Sequence, residues 1–187
     1  MPRIKLSHWL VFFILIIMFS AVELRGLFHF DNSDENIYFY MGKLVSEGKL
    51  PYSDFFFSHP PLQLAPNAII FFLLGFKLPL LKLVQLLSVI TTALFIFRLM
   101  KKNFGAKEAL ASAAIFLFAH RVLLEATYDL GVNLAAMLLV VSLYYVFDEN
   151  FSKAGVFAGL AALTSLLALV PAIAVGLVLL LRNAKMP

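Results

Sequence analysis

The residues of this chain with the clearest capacity for acid–base chemistry are two adjacent carboxylates, Asp34 and Glu35. They open a segment with helical periodicity, and neighbours on a helix do not share a face. One carboxylate can therefore face a site while the other caps the helix or forms a pair. An aspartate in water is ionised at neutral pH and can accept a proton from an attacking hydroxyl. Asp34 is thus a candidate general base. The alternative is that it only caps the helix start and complements the helix dipole.

A second polar group lies at His59, in the run His59-Pro60-Pro61. The prolines fix φ and restrict the residue before them, so the ring of His59 is presented in a defined direction. It could donate a hydrogen bond to a phosphate or bind a metal, or it could be an interfacial histidine in a turn. Lys43 could pair with a lipid phosphate, although lysines near headgroups need no special role. Asp54 could bind substrate and could equally cap a loop.

Three more charged residues lie between positions 120 and 130. Glu125 and Asp129 are four positions apart, so they could converge on a divalent cation or on the first site. Such acids are more often simply solvated, and both interpretations stay open. Arg121 stands at a helix exit, where we expect an interfacial position, and it is a candidate for substrate binding.

The composition is that of an integral membrane protein. Of 187 residues, 62% are hydrophobic and only 14% are charged, and the mean hydropathy is +0.93. Soluble domains carry about 25% charged residues. The net charge of +4 comes from basic residues beside apolar runs, which fits the positive-inside rule better than nucleic-acid binding. Cysteine is absent, which excludes thiolate chemistry and disulfides, and no nucleotide-binding loop or Ser/His/Asp order occurs.

Membrane helices joined by polar loops are predicted to hold the candidate residues. The apolar run 6–22 is long enough to cross most of a membrane core about 30 Å thick. An amphipathic surface helix is predicted over 34–47, because its apolar residues recur with helical spacing. The predicted class is all-α: a polytopic transmembrane helix bundle with amphipathic surface helices in the first external loop. The remaining layout is an external loop over 23–76, spans at 78–100, 106–119 and 131–147, an external loop at 120–130, and a hairpin of two spans at 154–182.

Charge decides two points of topology. The run 61–75 is apolar but short, and runs of that length are more often interfacial than spanning. If it lies on the surface, the next span carries Arg98, Lys101 and Lys102 into the cytoplasm, as the positive-inside rule requires, and the N-terminus is cytoplasmic. Residues 155–181 could form one tilted span. A hairpin that breaks near Thr164-Ser165 or Pro171 is favoured because it keeps the following basic residues inside.

The order of these motifs resembles the GT-C type membrane glycosyltransferases. The resemblance is strongest to the protein O-mannosyltransferases and to bacterial and archaeal polyprenyl-phosphate-sugar transferases such as the aminoarabinose transferases. Those families carry Asp-Glu after the first span, a surface helix, a Gly-Pro-Tyr-Asp segment and a His- or Lys-Pro-Pro-Leu run. The residues that match, in the family's order and with similar spacing, are Asp34-Glu35, Tyr38, Gly48, Pro51-Tyr52, Asp54 and His59-Pro60-Pro61-Leu62.

The resemblance implies an inverting transfer of a sugar from a polyprenyl-phosphate-linked donor to a hydroxyl or amine of a protein, lipid or glycan at the external membrane face. It makes Asp34 the general base, with Glu35 in support, and Asp129 the acid that some members use for metal or acceptor contacts. The cofactor it suggests is a divalent cation held by Asp129 and Glu125. The matched positions that become candidates for binding the donor phosphate or substrate are His59, Tyr38, Tyr52 and Asp54. Lys43 and Arg121 join them as candidates from their own chemistry.

This chain departs from the family in two respects. Members commonly carry a basic residue where Thr164-Ser165 stands here, and they run to several hundred residues. The resemblance therefore covers an amino-terminal module, and we expect a partner subunit or a carboxy-terminal portion to complete it. The alternative function is a non-catalytic membrane subunit or remnant that binds polyprenyl-phosphate lipid or a partner chain. The expected location is multi-pass in a prokaryotic plasma membrane.

Overall fold

A computed structural model describes residues 7–30 and 34–183 of the chain, without the side chains of residues 182 and 183. The first residue of the predicted span 6–22 and the basic Lys185 lie outside the described residues. Within them the chain is all-α and contains no β-strand. Short 3₁₀ turns lie at Gly26–Phe28, Pro61–Leu64 and Leu166–Ala168. The α-helices of this described part are α1 (His8–Glu23), α2 (Asp34–Ser46), α3 (Ala65–Leu74), α4 (Leu78–Asn103), α5 (Ala106–Leu117), α6 (His120–Glu125), α7 (Val132–Phe147), α8 (Phe151–Ala162) and α9 (Leu169–Asn183).

Two of the described helices are long and apolar enough to cross a membrane. They are His8–Phe28, in which α1 continues into the first 3₁₀ turn, and α4. The other apolar helices have 10–17 residues, and they cover Pro61–Leu74, Val132–Phe147, Phe151–Ala162 and Leu166–Leu181. The all-α part of the predicted class is confirmed, and the polytopic bundle stays a prediction.

The largest apolar core joins α1, α4 and α5. Phe12 of α1 stacks on Phe97 of α4 with 4.5 Å between ring centres, and both rings are buried. Ala109 and Ala113 present a fully buried small-residue face of α5. Small side chains let helix backbones approach closely, which is how helices associate where no hydrophobic force acts between them.

The helices after α7 form a hairpin. α8 ends at Ala162, and the hydroxyl of Ser165 accepts a hydrogen bond from the amide of Leu167 as the chain turns towards α9. Ser142 of α7 donates a 2.7 Å hydrogen bond to the carbonyl of Ala154 in α8. The break between α8 and the next 3₁₀ turn therefore falls at Thr164-Ser165, one of the two places considered from the sequence. Whether each arm spans the membrane stays a prediction.

The segment 120–130, predicted as a loop, contains the six-residue helix α6. Its Arg121 and Glu125 are one turn apart, and a guanidinium nitrogen of Arg121 lies 2.6 Å from Oε1 of Glu125. Such a pair supports a helical turn by a few tenths of a kcal/mol. The helix is too short for its hydrophobic period to be recognised in the sequence.

The helices α2 and α3, predicted as surface helices, pack closely against each other through Gly42. A Cβ atom at this position would lie 2.5 Å from Cβ of Asn67 in α3, so only glycine allows this separation. α2 ends at Ser46, one residue before the predicted end, and Gly48 follows with φ +85°. This contact fixes α3 relative to the carboxylates that begin α2.

Gly131→Ala is expected to destabilise the protein more than Gly48→Ala. Both glycines have a left-handed φ, +72° and +85°, which costs a residue with a Cβ about 1–2 kcal/mol. Only at Gly131 would the Cβ also meet a buried side chain, 2.7 Å from Cδ of Gln63, whereas nothing lies within 4 Å at Gly48. Thermal unfolding in detergent compares the two variants. Equal losses would show that Gln63 moves aside without cost.

Candidate functional site

The two adjacent carboxylates of α2 have different surroundings. Glu35 has no exposed surface, and its Oε1 lies 2.8 Å from Nζ of Lys82, whose side chain is 1% exposed. The same Nζ lies 5.1 Å from the ring centre of Tyr128. Asp34 is exposed and lines an open cleft. This is the division that two neighbours on one helix must adopt.

A second buried carboxylate, Asp129, completes a polar network behind the cleft. The side-chain amide of Asn67 donates to its Oδ2, and that of Gln85 donates to its Oδ1 at 2.6 Å. The backbone N–H of Asp129 donates to Oε2 of Glu35 at 3.4 Å. Because these residues belong to α2, α3, α4 and the loop before α7, the network ties α2 and α3 to the helices that follow them.

Burial gives Asp129 an unusual acidity. The pKa of its carboxyl is raised to about 7, mainly by loss of hydration and also by the charge of Glu35, while the hydrogen bond from Asn67 and the charge of Lys82 oppose the rise. With Asp129 neutral, the buried charges of Glu35 and Lys82 balance. With Asp129 ionised, the network carries an uncompensated negative charge.

Asp129→Asn is expected to flatten the pH dependence of stability. The pKa of Asp129 in the folded protein, about 7, lies above the ordinary 3.8, so the folded state binds more protons between these values. The wild type should therefore lose stability as pH rises from about 4 to about 7. The measurement is the unfolding midpoint of both proteins in detergent across this range. The prediction fails if the two slopes are the same.

The open cleft has a volume of about 480 Å³. It combines a carboxylate from Asp34 with the guanidinium of Arg121, whose side chain is 78% exposed. A guanidinium presents several N–H donors in a fork that matches phosphate geometry. One guanidinium nitrogen lies 2.6 Å from Oε1 of Glu125, so the remaining N–H donors of Arg121 are the groups that the cleft can offer to an anion, beside the proton acceptor Asp34. Its lining residues are Asp34, Arg121, Leu124, Glu125, Tyr128 and Leu130.

Tyr38, Tyr52 and His59 come together one turn along α2 from Asp34. The hydroxyl of Tyr38 lies 3.0 Å from Nε2 of His59, and the hydroxyl of Tyr52 donates a 2.6 Å hydrogen bond to the carbonyl of His59. Burial raises the pKa of Tyr38, and the charges of Asp34 and Asp129 raise it further. The imidazole is thereby held at a fixed position on the same side of α2 as Asp34.

Lys43 and Asp54 are not part of this group. Lys43 lines a different groove, and its Nζ lies 3.5 Å from Oε1 of Glu47. Oδ2 of Asp54 accepts a 2.7 Å hydrogen bond from the amide of Leu50, so this carboxylate caps a loop. Donor binding by either residue stays a prediction.

Glu125 and Asp129 have separate environments. Glu125 faces the cleft beside Arg121, whereas Asp129 is 1% exposed and accepts hydrogen bonds from two side-chain amides. Within residues 7–30 and 34–183, no three His, Cys, Asp or Glu side chains are grouped so that they could hold an ion. A divalent cation bound by Glu125 and Asp129 stays a prediction.

Sequence reasoning missed the polar face of α4 that meets Glu35 and Asp129. Lys82 is the only charged residue between positions 78 and 97, and polar residues recur every three or four positions after it. An ionisable residue in an apolar helix costs free energy, so it indicates a partner or a function. This spacing was the available signal. The buried members of the face are Lys82, Gln85, Ser88 and Thr92.

Comparison with known proteins places this chain in a family. The model of the family described as dolichyl-phosphate-mannose-protein mannosyltransferase matches residues 58–186, which is more than half of the chain. The match includes His59, Lys82 and Asp129 but begins after α2, so Asp34 and Glu35 lie outside it. Comparisons with curated proteins and with solved structures gave no match. The resemblance read from the motifs is confirmed, and the chain belongs to the dolichyl-phosphate-mannose-protein mannosyltransferase family.

Proposed function

We propose that this protein transfers a sugar, with inversion, from a polyprenyl-phosphate-linked donor to an acceptor in the cleft between α2 and α6. The observation that carries the proposal is the exposed carboxylate of Asp34 facing the same cleft as the guanidinium of Arg121. Family membership supports a glycosyltransferase that uses a polyprenyl-phosphate sugar. The buried pair of Glu35 and Lys82 supports a role for Glu35 in holding α2 rather than in the reaction.

In this mechanism the oxygen of the acceptor hydroxyl attacks the anomeric carbon of the donor. As it attacks, a carboxylate oxygen of Asp34 accepts the proton of that hydroxyl. The bond between the anomeric carbon and the phosphate oxygen breaks, and the phosphate leaves with the electron pair. Attack from the face opposite the leaving phosphate inverts the configuration. Arg121 stabilises the negative charge that develops on the phosphate, as expected of a cation placed where charge accumulates.

His59 is proposed to bind the donor beside this cleft. Its Nε2 is engaged with the hydroxyl of Tyr38, one turn from Asp34, and its carbonyl with the hydroxyl of Tyr52. A histidine fixed at both ends has little orientational freedom to lose when a ligand binds. The acceptor is a hydroxyl or amine of a protein, lipid or glycan.

The site is proposed to lie at the external face of a prokaryotic plasma membrane. α1 and α4 have the length to span, and α2 and α3 precede α4 as surface helices in this arrangement. With Arg98, Lys101 and Lys102 in the cytoplasm, the N-terminus is cytoplasmic and the chain is multi-pass.

The test separates catalysis from lipid binding. The protein in nanodiscs is given polyprenyl-phosphate mannose and an acceptor peptide or lipid, and transfer is measured beside crosslinking of a photoreactive donor. We expect transfer by the wild type, and crosslinking without transfer for Asp34→Asn. Crosslinking without transfer by the wild type would instead support the alternative, a non-catalytic subunit that binds the lipid.

A further inference from the structure

An apolar groove lies between α2 and α3, away from the proposed catalytic cleft. Its volume is about 600 Å³, and its floor is built from aromatic rings of both helices. Three of them are largely exposed: Phe72 by 76%, Tyr40 by 60% and Phe76 by 54%. Neither Asp34 nor Arg121 lines this groove. We call it the α2–α3 groove.

Helix geometry puts this groove and the catalytic cleft on different sides of α2. Successive residues turn by about 100° at 3.6 residues per turn. Lys43, nine positions after Asp34, is therefore turned about half a circle from it. Tyr40 and Glu47 share the side of Lys43. A ligand in the α2–α3 groove would therefore not occupy the site proposed for sugar transfer.

The rim of the groove carries two opposite charges. Nζ of Lys43 lies 3.5 Å from Oε1 of Glu47, and the two side chains are 52% and 50% exposed. A purely anionic headgroup would meet the repulsion of Glu47, and a purely cationic one the repulsion of Lys43. A headgroup that carries both charges complements the pair, with its anion at Lys43 and its cation at Glu47.

We propose that the α2–α3 groove binds a phospholipid whose zwitterionic headgroup ends in a primary ammonium, the chemistry of phosphatidylethanolamine. One acyl chain covers the rings of Phe71, Phe72 and Phe76, of which Phe72 and Phe76 are largely exposed. The phosphate pairs with Lys43, and the ammonium donates hydrogen bonds to Glu47. A trimethylammonium group has no N–H to donate, so a choline lipid binds less tightly. The proposal does not depend on the sugar-transfer reaction.

A tryptophan placed in the groove reports its occupant. Trp9 is the only tryptophan of the chain, and it lies on α1 with its ring centre 4.9 Å from that of Phe97. The variant Trp9→Phe/Phe72→Trp therefore carries a single tryptophan, at position 72. It is reconstituted into vesicles containing one brominated lipid at a low mole fraction. The brominated lipid is phosphatidylethanolamine, phosphatidylcholine or phosphatidylglycerol.

We expect brominated phosphatidylethanolamine to quench this tryptophan several-fold more than its mole fraction predicts, and more than the other two lipids do. Lys43→Met and Glu47→Gln should each remove the preference. Both side chains are half exposed, so the fold should persist, as circular dichroism would verify. Lys102→Met is the matched control, because it breaks another exposed ion pair, in which Nζ of Lys102 lies 2.8 Å from Oδ1 of Asp148. This variant should leave the preference intact.

Quenching in proportion to mole fraction for all three lipids would overturn the proposal. Loss of preference in Lys102→Met would overturn it as well, because the effect would then reflect overall charge. Displacement of the brominated phospholipid by an equimolar polyprenyl phosphate would assign the groove to the donor's chain instead. A quenching preference that persists in both Lys43→Met and Glu47→Gln would also overturn the proposal, because the headgroup would then not be recognised by these two charges.

Discussion

Replacing Lys82 with methionine is expected to lower the free energy of unfolding by about 3–5 kcal/mol, the usual cost of removing one partner of a buried ion pair. Glu35 would keep its buried position without its 2.8 Å partner. Methionine matches the length of the lysine stem, so the loss reflects the missing charge more than a cavity. Unfolding in detergent, followed by circular dichroism, measures the difference.

The double variant Lys82→Met/Glu35→Leu separates charge from packing. Replacing a buried ion pair by apolar residues is often neutral or stabilising, so we expect most of the lost stability to return. Lys102→Met is the control, because its pair with Asp148 is about half exposed and such pairs contribute little. A double variant as unstable as Lys82→Met would mean that Glu35 and Lys82 do not act as a pair.

Asp34→Asn is expected to reduce the rate of sugar transfer by about 10²–10⁴-fold, the usual contribution of a general base. The side chain is exposed in an open cleft, and the amide has nearly the same shape, so unfolding should be unchanged. Donor affinity should also change little, because the carboxylate acts on the acceptor's proton. The fall should therefore appear in kcat rather than in KM.

Asp54→Asn provides the matched control for this experiment. Both carboxylates are exposed and lie between α1 and α3, but Asp54 accepts a hydrogen bond from the amide of Leu50 in a loop. Because this loop contact accounts for the Asp54 carboxylate, its variant should transfer sugar at nearly the wild-type rate, and a rise in KM would instead support the donor binding predicted for Asp54. If Asp34→Asn transferred sugar at the wild-type rate, Asp34 would not be the general base, although the chain would still belong to its family.

The division of work between Asp34 and Glu35 could be predicted from helical spacing alone. The partner of Glu35 could not, because Lys82 lies on a distant helix and the sequence does not specify which helices meet. The sequence left three possibilities open for Asp129: solvation, metal binding, or convergence on the site of Asp34 and Glu35. Its burial depends on the amides of Asn67 and Gln85, which only tertiary packing brings together.

Helix spacing also accounts for the candidates that the structure separates. Tyr38, four positions after Asp34, lies on the same side of α2 and reaches His59. Lys43, nine positions after Asp34, is turned away from it by about half a circle. Helical spacing alone therefore argues against one donor site that contains both residues. The pairing of Tyr52 with His59 was beyond such counting, because Tyr52 adopts a left-handed φ of +70°.

The hydrogen bond from the amide of Asp129 to the carboxylate of Glu35 also sets an order in which contacts form during synthesis of the chain. These partners are 94 positions apart, so the ribosome must complete α6 before Glu35 can receive its last donor. A chain is made from its amino terminus at roughly 5–20 residues per second, which leaves α2 waiting for about 5–20 seconds. During this interval Lys82 emerges first and can neutralise Glu35. We therefore expect the contact between Lys82 and Glu35 to form before the one between Asp129 and Glu35.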